Sequence, residues 1–241
     1  MRRLVKDVLL PLAVAVALAF VIQAAVAKPY QIPTESMFPT IRANDRVIAN
    51  RLIYRVRDIQ RRDIIVFHPP PSATRTCGDG GGGNIPFVKR VIGLPGDRVE
   101  VRRETVGAAD GPVYARVRVV DPGGSATSGG SVARIRLRPG DARSVTYVNG
   151  RPFEVGEAVT PVTLRSGPSR YATGGRMMSV PESYVLGPLT VPADRILVLG
   201  DNRPGSCDAH LWQPDRFVPL ESVIGQAEVT YWPLSQLAFL D

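Results

Sequence analysis

Residues 8–27 form an uncharged run of twenty, directly after Arg2, Arg3 and Lys6. As a helix rising about 1.5 Å per residue, such a run crosses a hydrocarbon core roughly 30 Å thick. The positive-inside rule keeps the basic N-terminus, 1–7, in the cytoplasm and places everything after Lys28 outside. A cleaved signal peptide is the competing reading, because Ala25-Val26-Ala27 resembles a small-x-small cleavage site. The run is longer than the roughly 7–15 apolar residues of such a peptide, which favours an anchor at 8–27. No other stretch is long and apolar enough to span, and Leu234–Leu240 is far too short.

The remainder of the 241-residue chain suits one good-sized domain carrying an insertion. Its 44% hydrophobic and 22% charged residues exclude intrinsic disorder, a collagen-like repeat and a polytopic membrane protein. The net charge of +8 rests on 27 Arg against only 3 Lys, an imbalance that codon bias explains. These arginines are dispersed among acids, which argues against nucleic acid and for anionic lipid headgroups.

Beyond the anchor the chain reads as β-rich. Arg46–Ala49, Asp63–Phe67, Phe87–Ile92 and Arg98–Arg102 are short and rich in β-branched residues, and turn signals such as Gly93-Leu94-Pro95-Gly96-Asp97 bound them. Residues 69–86 read as a loop of three prolines followed by a glycine run. Val113–Val120 and Val132–Arg138 alternate apolar residues with Arg116, Arg118, Arg134, Arg136 and Arg138, which predicts strands with one wet face. Asn149-Gly150 predicts a tight hairpin turn. The expected division is a core at 28–101 and 189–241, interrupted by a second β subdomain at 102–188.

Three features could carry chemistry. Pro33–Thr40 sets Ser36 in a proline-bracketed turn. Phe87–Ile92 sets Lys89, the sole lysine beyond residue 28, among apolar neighbours. Gly200–Asp208 gathers hydroxyl, amide and charged groups after an apolar strand. A serine hydroxyl needs a base to become a nucleophile. Lysine serves when burial makes it neutral, whereas arginine stays protonated. On residue type alone, Lys89 reads equally well as a strand lysine pointing to water. His68, beside three prolines, reads as a surface loop residue, and two cysteines without C-x-x-C spacing make a poor zinc site.

Together these stretches resemble the type I signal peptidases, membrane-bound serine proteases that remove signal peptides from exported proteins. Four motifs of that family occur in order: Pro33–Thr40, Arg62–Phe67, Lys89–Asp97, and Gly200–Arg203 through Ser206 and Asp208. The resemblance spans 33–216, and the middle subdomain corresponds to the family's variable region. It implies a mainly β fold, with a signal-peptidase-type core, an inserted second β subdomain and one N-terminal transmembrane helix.

The resemblance also implies roles. Ser36 is the nucleophile and Lys89 the neutral general base. Ser206 orients the lysine amine. The Ser36 backbone N–H and the Thr34 hydroxyl form the oxyanion hole. Asp201, Asn202, Arg203 and Asp208 shape the loop. Ile32, Phe87 and Val88 line small apolar pockets for signal-peptide residues −1 and −3. No metal or organic cofactor is needed. The expected partners are signal peptides of preproteins and the lipid bilayer, not nucleic acid. The expected state is a single-pass monomer of the bacterial cytoplasmic membrane with its catalytic domain outside. Met37, Phe38, Trp212 and Trp232 are candidates to face the bilayer.

Departures from the pattern are equally specific. Asp208-Ala209-His210 stands where many members have Asp-Ser-Arg, and His210-Leu211-Trp212 resembles the thylakoid and cyanobacterial branch. His210 is expected to bond Asp208 without a catalytic role, and Glu35 to be exposed. If Lys89 and Ser206 touch, Cys77 and Cys207 approach one edge of the core, where an exported compartment permits a disulfide. Two other readings remain: a related Ser/Lys maturation peptidase of pilus or conjugation assembly, and a non-catalytic membrane-anchored envelope scaffold. The scaffold predicts that Ser36→Ala leaves function intact.

Overall fold

The computed structural model describes residues 12–14, 26–78, 85–120, 130–156, 158–164, 176–177 and 184–240. The expected anchor at 8–27 lies almost wholly outside them, and no helix among the described residues is long and apolar enough to cross a membrane. Ala27, read from sequence as the anchor's last residue, opens a strand instead.

In chain order the strands are β1 (Ala27–Gln31), β2 (Arg46–Asn50), β3 (Ile64–Phe67), β4 (Phe87–Gly93), β5 (Arg98–Thr105), β6 (Tyr114–Val120), β7 (Ser131–Arg136), β8 (Ala142–Val148), β9 (Arg151–Pro152), β10 (Val162–Thr163), β11 (Arg176–Met177), β12 (Leu186–Thr190), β13 (Arg195–Leu199), β14 (Val218–Pro219), β15 (Val223–Trp232) and β16 (Ala238–Phe239). The mainly β expectation is thus borne out. A core sheet runs β1-β2-β15-β3-β4-β13-β14 with β16 on β15; a second runs β10-β8-β5-β12 with β9 on β8; a third runs β11-β6-β7. Strands of the core sheet pair antiparallel.

The unbroken apolar run of β3 follows from burial on both of its faces. Successive side chains of a strand point to opposite sides. Ile65 and Phe67 join one hydrophobic core with Val91, Leu197, Leu199 and Trp212, while Ile64 and Val66 join another with Ile32, Met37, Ile41 and Val88. A third core, around Val117, Ile135 and Leu137, belongs to the middle strands. The expected boundary at 101/102 falls inside β5, which pairs with β8 along 99–105 and receives β12 on its other edge. Asn149 and Gly150 both have positive φ, at 52° and 77°, which is what the two-residue turn between β8 and β9 requires.

Several expectations are corrected. The loop read at 69–86 contains a helix, α1 (Pro71–Cys77), with proline at its first turn where no N–H is needed. Met37, Phe38 and Trp212 do not face outward: each is at most 1% exposed, with Met37 in the core of Ile64 and Val66, Trp212 in the core of Phe67 and Ala73, and Phe38 under the Arg42 and Arg118 guanidinium groups. Trp232 is half-exposed. Arg118, read as lying on a wet face, is buried, because the turn that carries Glu35 and Phe38 covers β6 at that position.

Candidate active site

Four segments converge. The turn between β1 and β2 supplies Thr34, Glu35 and Ser36; β4 supplies Lys89; the loop after β13 supplies Asp201 to Asp208; α1 supplies Cys77. Lys89 Nζ lies 2.6 Å from Ser36 Oγ and donates to the Val88 carbonyl at 3.2 Å. Thr34 Oγ1 donates to Ser36 Oγ at 3.2 Å. Ser36 and Lys89 are buried, and among the described residues the amine has no carboxylate in direct contact. Burial lowers the Lys89 pKa from 10.5 to about 8, opposed by the attraction of Asp208 and then Asp201. Part of the lysine is therefore neutral near pH 7–8, and its lone pair can take the Ser36 proton.

Arg90, the next residue along β4, takes the opposite face and shows what arginine does in this interior. It forms a bidentate pair with Asp201, at 2.8 and 2.7 Å, with both side chains nearly inaccessible. Thr40 Oγ1 donates to the same carboxylate at 2.6 Å, tying the segment after Ser36 to the 200–208 loop. Removing one partner of such a buried pair costs about 3–5 kcal/mol. Sequence reading assigned Arg90 no role; its only signal was a charged residue inside an apolar strand.

The remaining loop residues hold the turn in place. The Asn202 backbone N–H donates to the Ser36 carbonyl at 3.0 Å, and its Nδ2 to the Glu35 carbonyl at 3.0 Å. Arg203 donates to Gly200 O at 2.9 Å and to Thr146 Oγ1 at 2.6 Å, reaching the middle subdomain. Asp208 accepts the Gly200 N–H at 2.8 Å and contacts His210 Nδ1 at 2.7 Å. Although burial opposes it, the Asp208 carboxyl is held below its usual pKa by His210, the Gly200 N–H and the neighbouring Ser206 hydroxyl. Gly200 must be glycine: a Cβ there would overlap Ser206 Oγ and the Ser36 carbonyl oxygen.

Ser206 differs from expectation in detail. It is buried in this loop, but its Oγ makes no well-formed hydrogen bond, to Lys89 or to any other described residue. It stands beside the Asp208 carboxylate instead. Glu35 is also not exposed as expected, since its carboxylate is 14% accessible and lies 3.4 Å from Arg118.

A cleft of about 300 Å³ opens beside Ser36 and Lys89. Ile32, Phe87 and Val88 line it, together with Thr34, Ile85, Pro86 and the two cysteines. Cys77 and Cys207 are joined by a disulfide, with Trp212 Nε1 donating to Cys77 Sγ at 3.1 Å behind it. Sequence reading missed Ile85 and Pro86 as cleft walls, because they follow a glycine run that carries no periodicity, and it set the two cysteines only at an edge of the core.

Residues 5–232 match the family described as signal peptidase, peptidase S26. The chain belongs to the signal peptidase family. It is similar to a signal peptidase I of Leptolyngbya laminosa, 33% identical over 93% of this chain and 78% of that protein. A probable signal peptidase I-2 of Synechocystis is 32% identical over 94% of this chain and 72% of its own length. The thylakoidal processing peptidase 1 of Arabidopsis thaliana is 27% identical over 93% of this chain and 47% of its own length. Within this signal peptidase the matched span takes in the Ser36 turn, β4, the 200–208 loop and the middle strands alike.

Proposed function

We propose that this protein is a serine endopeptidase that removes N-terminal signal peptides from exported preproteins, with Ser36 as nucleophile and neutral Lys89 as general base. The observation that carries this reading is the 2.6 Å contact between Lys89 Nζ and Ser36 Oγ in a buried setting beside an apolar cleft. Lys89 takes the Ser36 proton as Oγ attacks the carbonyl of the −1 residue. The Thr34 hydroxyl and the Ser36 N–H stabilise the developing oxyanion. The protonated lysine then donates to the leaving amine, and the freed base activates water to hydrolyse the ester. Asp201, Asn202, Arg203 and Asp208 hold the turn and the loop against each other. Ser206, buried in the same loop, is assigned to orient the lysine amine.

Ile32, Phe87 and Val88 are apolar walls of the cleft, and we assign them the choice of small apolar residues at −1 and −3. Cleavage of a model preprotein by purified wild-type protein, but not by Ser36→Ala, is the test. Equal processing by Ser36→Ala would leave the reading without support.

The protein works at a membrane. We assign the apolar run that precedes β1 as a single anchor in the bacterial cytoplasmic membrane, with the N-terminus inside and the catalytic domain outside, and the enzyme acts as a monomer. An apolar patch supports bilayer contact: Trp232, Leu234, Leu237 and Phe239 are 50–84% exposed at the β15–β16 end. Replacing Trp232 and Phe239 by Ser is expected to lower cleavage of a preprotein in vesicles roughly tenfold, because two large side chains lose apolar burial. Cleavage of a short soluble peptide should hold within about twofold. An equal loss on both substrates would place the effect in the catalytic site and end the bilayer assignment.

A further inference from the structure

Arg118 belongs to β6, in the sheet set apart from the cleft, yet it is 2% exposed. Its side chain meets the nucleophile turn at two points. Its Nη2 lies 3.4 Å from Glu35 Oε2, and its guanidinium carbon lies 4.6 Å from the centre of the Phe38 ring. Glu35 precedes Ser36 directly, and Phe38 follows it by two residues. The contact is an ion pair rather than a hydrogen bond, since Glu35 Oε2 accepts none among the described residues, and water screens a pair this buried only weakly while the guanidinium also lies over a ring face.

The consequence lies in one peptide plane. The Glu35 carbonyl and the Ser36 N–H belong to the same trans unit, so they point in opposite directions. The carbonyl is held by Asn202 Nδ2 at 3.0 Å and by the Phe38 N–H at 3.1 Å. The Ser36 N–H has no acceptor among the described residues. The clamp at Glu35 and Phe38 therefore sets where a free donor points.

We infer that Arg118 is a positioning residue: through Glu35 and Phe38 it fixes the Glu35–Ser36 peptide so that the Ser36 N–H is aimed at the oxyanion. The middle subdomain thereby completes the catalytic turn from outside the core. The inference rests on the oxyanion role proposed above for Ser36 and Thr34.

The test uses the full chain and a model preprotein. Arg118→Gln and Glu35→Gln are each expected to lower kcat roughly 10- to 100-fold with KM within about twofold, the signature of a misplaced oxyanion donor. The double variant should lose no more than the worse single variant, because both break one clamp. Arg118→Lys should recover part of kcat, keeping the charge but not the planar stack. Affinity for a peptide aldehyde, whose serine adduct presents an oxyanion, should fall by the same factor as kcat. Affinity for an uncleaved peptide bound to Ser36→Ala should not change when Glu35→Gln is added.

Glu35→Gln conserves volume at a partly accessible site, so it reports even where Arg118→Gln fails to fold. Full kcat in folded Glu35→Gln overturns the inference, as does an equal loss of affinity for the uncleaved peptide. Ser36→Ala in the same assay separates the two levels. If it is inactive while Glu35→Gln is fully active, only the inference fails; if it is active, the proposed mechanism fails.

Discussion

Lys89→Arg is expected to lower kcat/KM by roughly 10⁴-fold or more, as fully as Lys89→Ala, although it keeps a cation in place. Arginine cannot lose its proton at any working pH, so the charge that survives is of no use as a base. An active Lys89→Arg enzyme in the preprotein assay would refute a neutral lysine base. The pH profile carries the same logic. With the Lys89 pKa lowered to about 8 by burial, kcat/KM should rise with pH through that value and then level off. The price of such a base is stability. The folded pKa lies below the unfolded value, so the protonated amine destabilises the fold at every pH below about 8. That penalty fades as pH rises from about 8 to 10.5, where the unfolded lysine also becomes neutral. The shift corresponds to about 3 kcal/mol, so Lys89→Met should gain more stability at pH 7 than at pH 11 by about that amount. Denaturant titrations at both pH values measure it, and equal gains would show that the lysine is not desolvated.

Replacing both Cys77 and Cys207 by Ala is expected to lower the unfolding free energy by about 5 kcal/mol. The bond closes a segment of 130 residues, which includes β4, the whole middle subdomain and β13. Opening that loop restores chain entropy to the unfolded state, where most of the effect arises. Such a change is comparable to the total stability of many domains. Comparing denaturant midpoints of the wild type with those of the double variant measures it directly. A difference below about 1 kcal/mol would show that the crosslink restrains little.

Much of the core was legible along the chain. Asp63–Phe67 and Phe87–Ile92 read as strands because their apolar and β-branched residues leave few other choices, and the Asn149-Gly150 turn announced itself by the positive φ that those residues tolerate. Ser36, Lys89 and the 200–208 loop stood out because nucleophile, base and supporting amides are chemically distinct residue types. The single Lys89 in a chain that otherwise uses arginine gained meaning once beside Ser36: codon bias accounts for the imbalance, and proton transfer accounts for the exception.

Contacts between segments distant in the chain were not legible. Alternation placed Arg118 on a wet face, since a period of two says which side a residue takes but not what covers that side. Met37, Phe38 and Trp212 read as bilayer-facing because a large apolar side chain suits either a membrane or a core; packing against β3 and α1 decided for Met37 and Trp212, and the arginines over its ring for Phe38. Ser206 lay in the right loop, yet its hydroxyl turned toward Asp208 rather than Lys89.

The sequence by itself determined the residue types that chemistry demands, a serine, a deprotonatable lysine and amide-rich turns, along with the strands that local apolar patterning enforces. The tertiary structure alone decided what the lysine touches, how dry its surroundings are and which arginines are buried. A pKa shift, a 2.6 Å contact and a clamp from a distant strand depend on distance and dielectric, and those exist only once the sheets have closed around them.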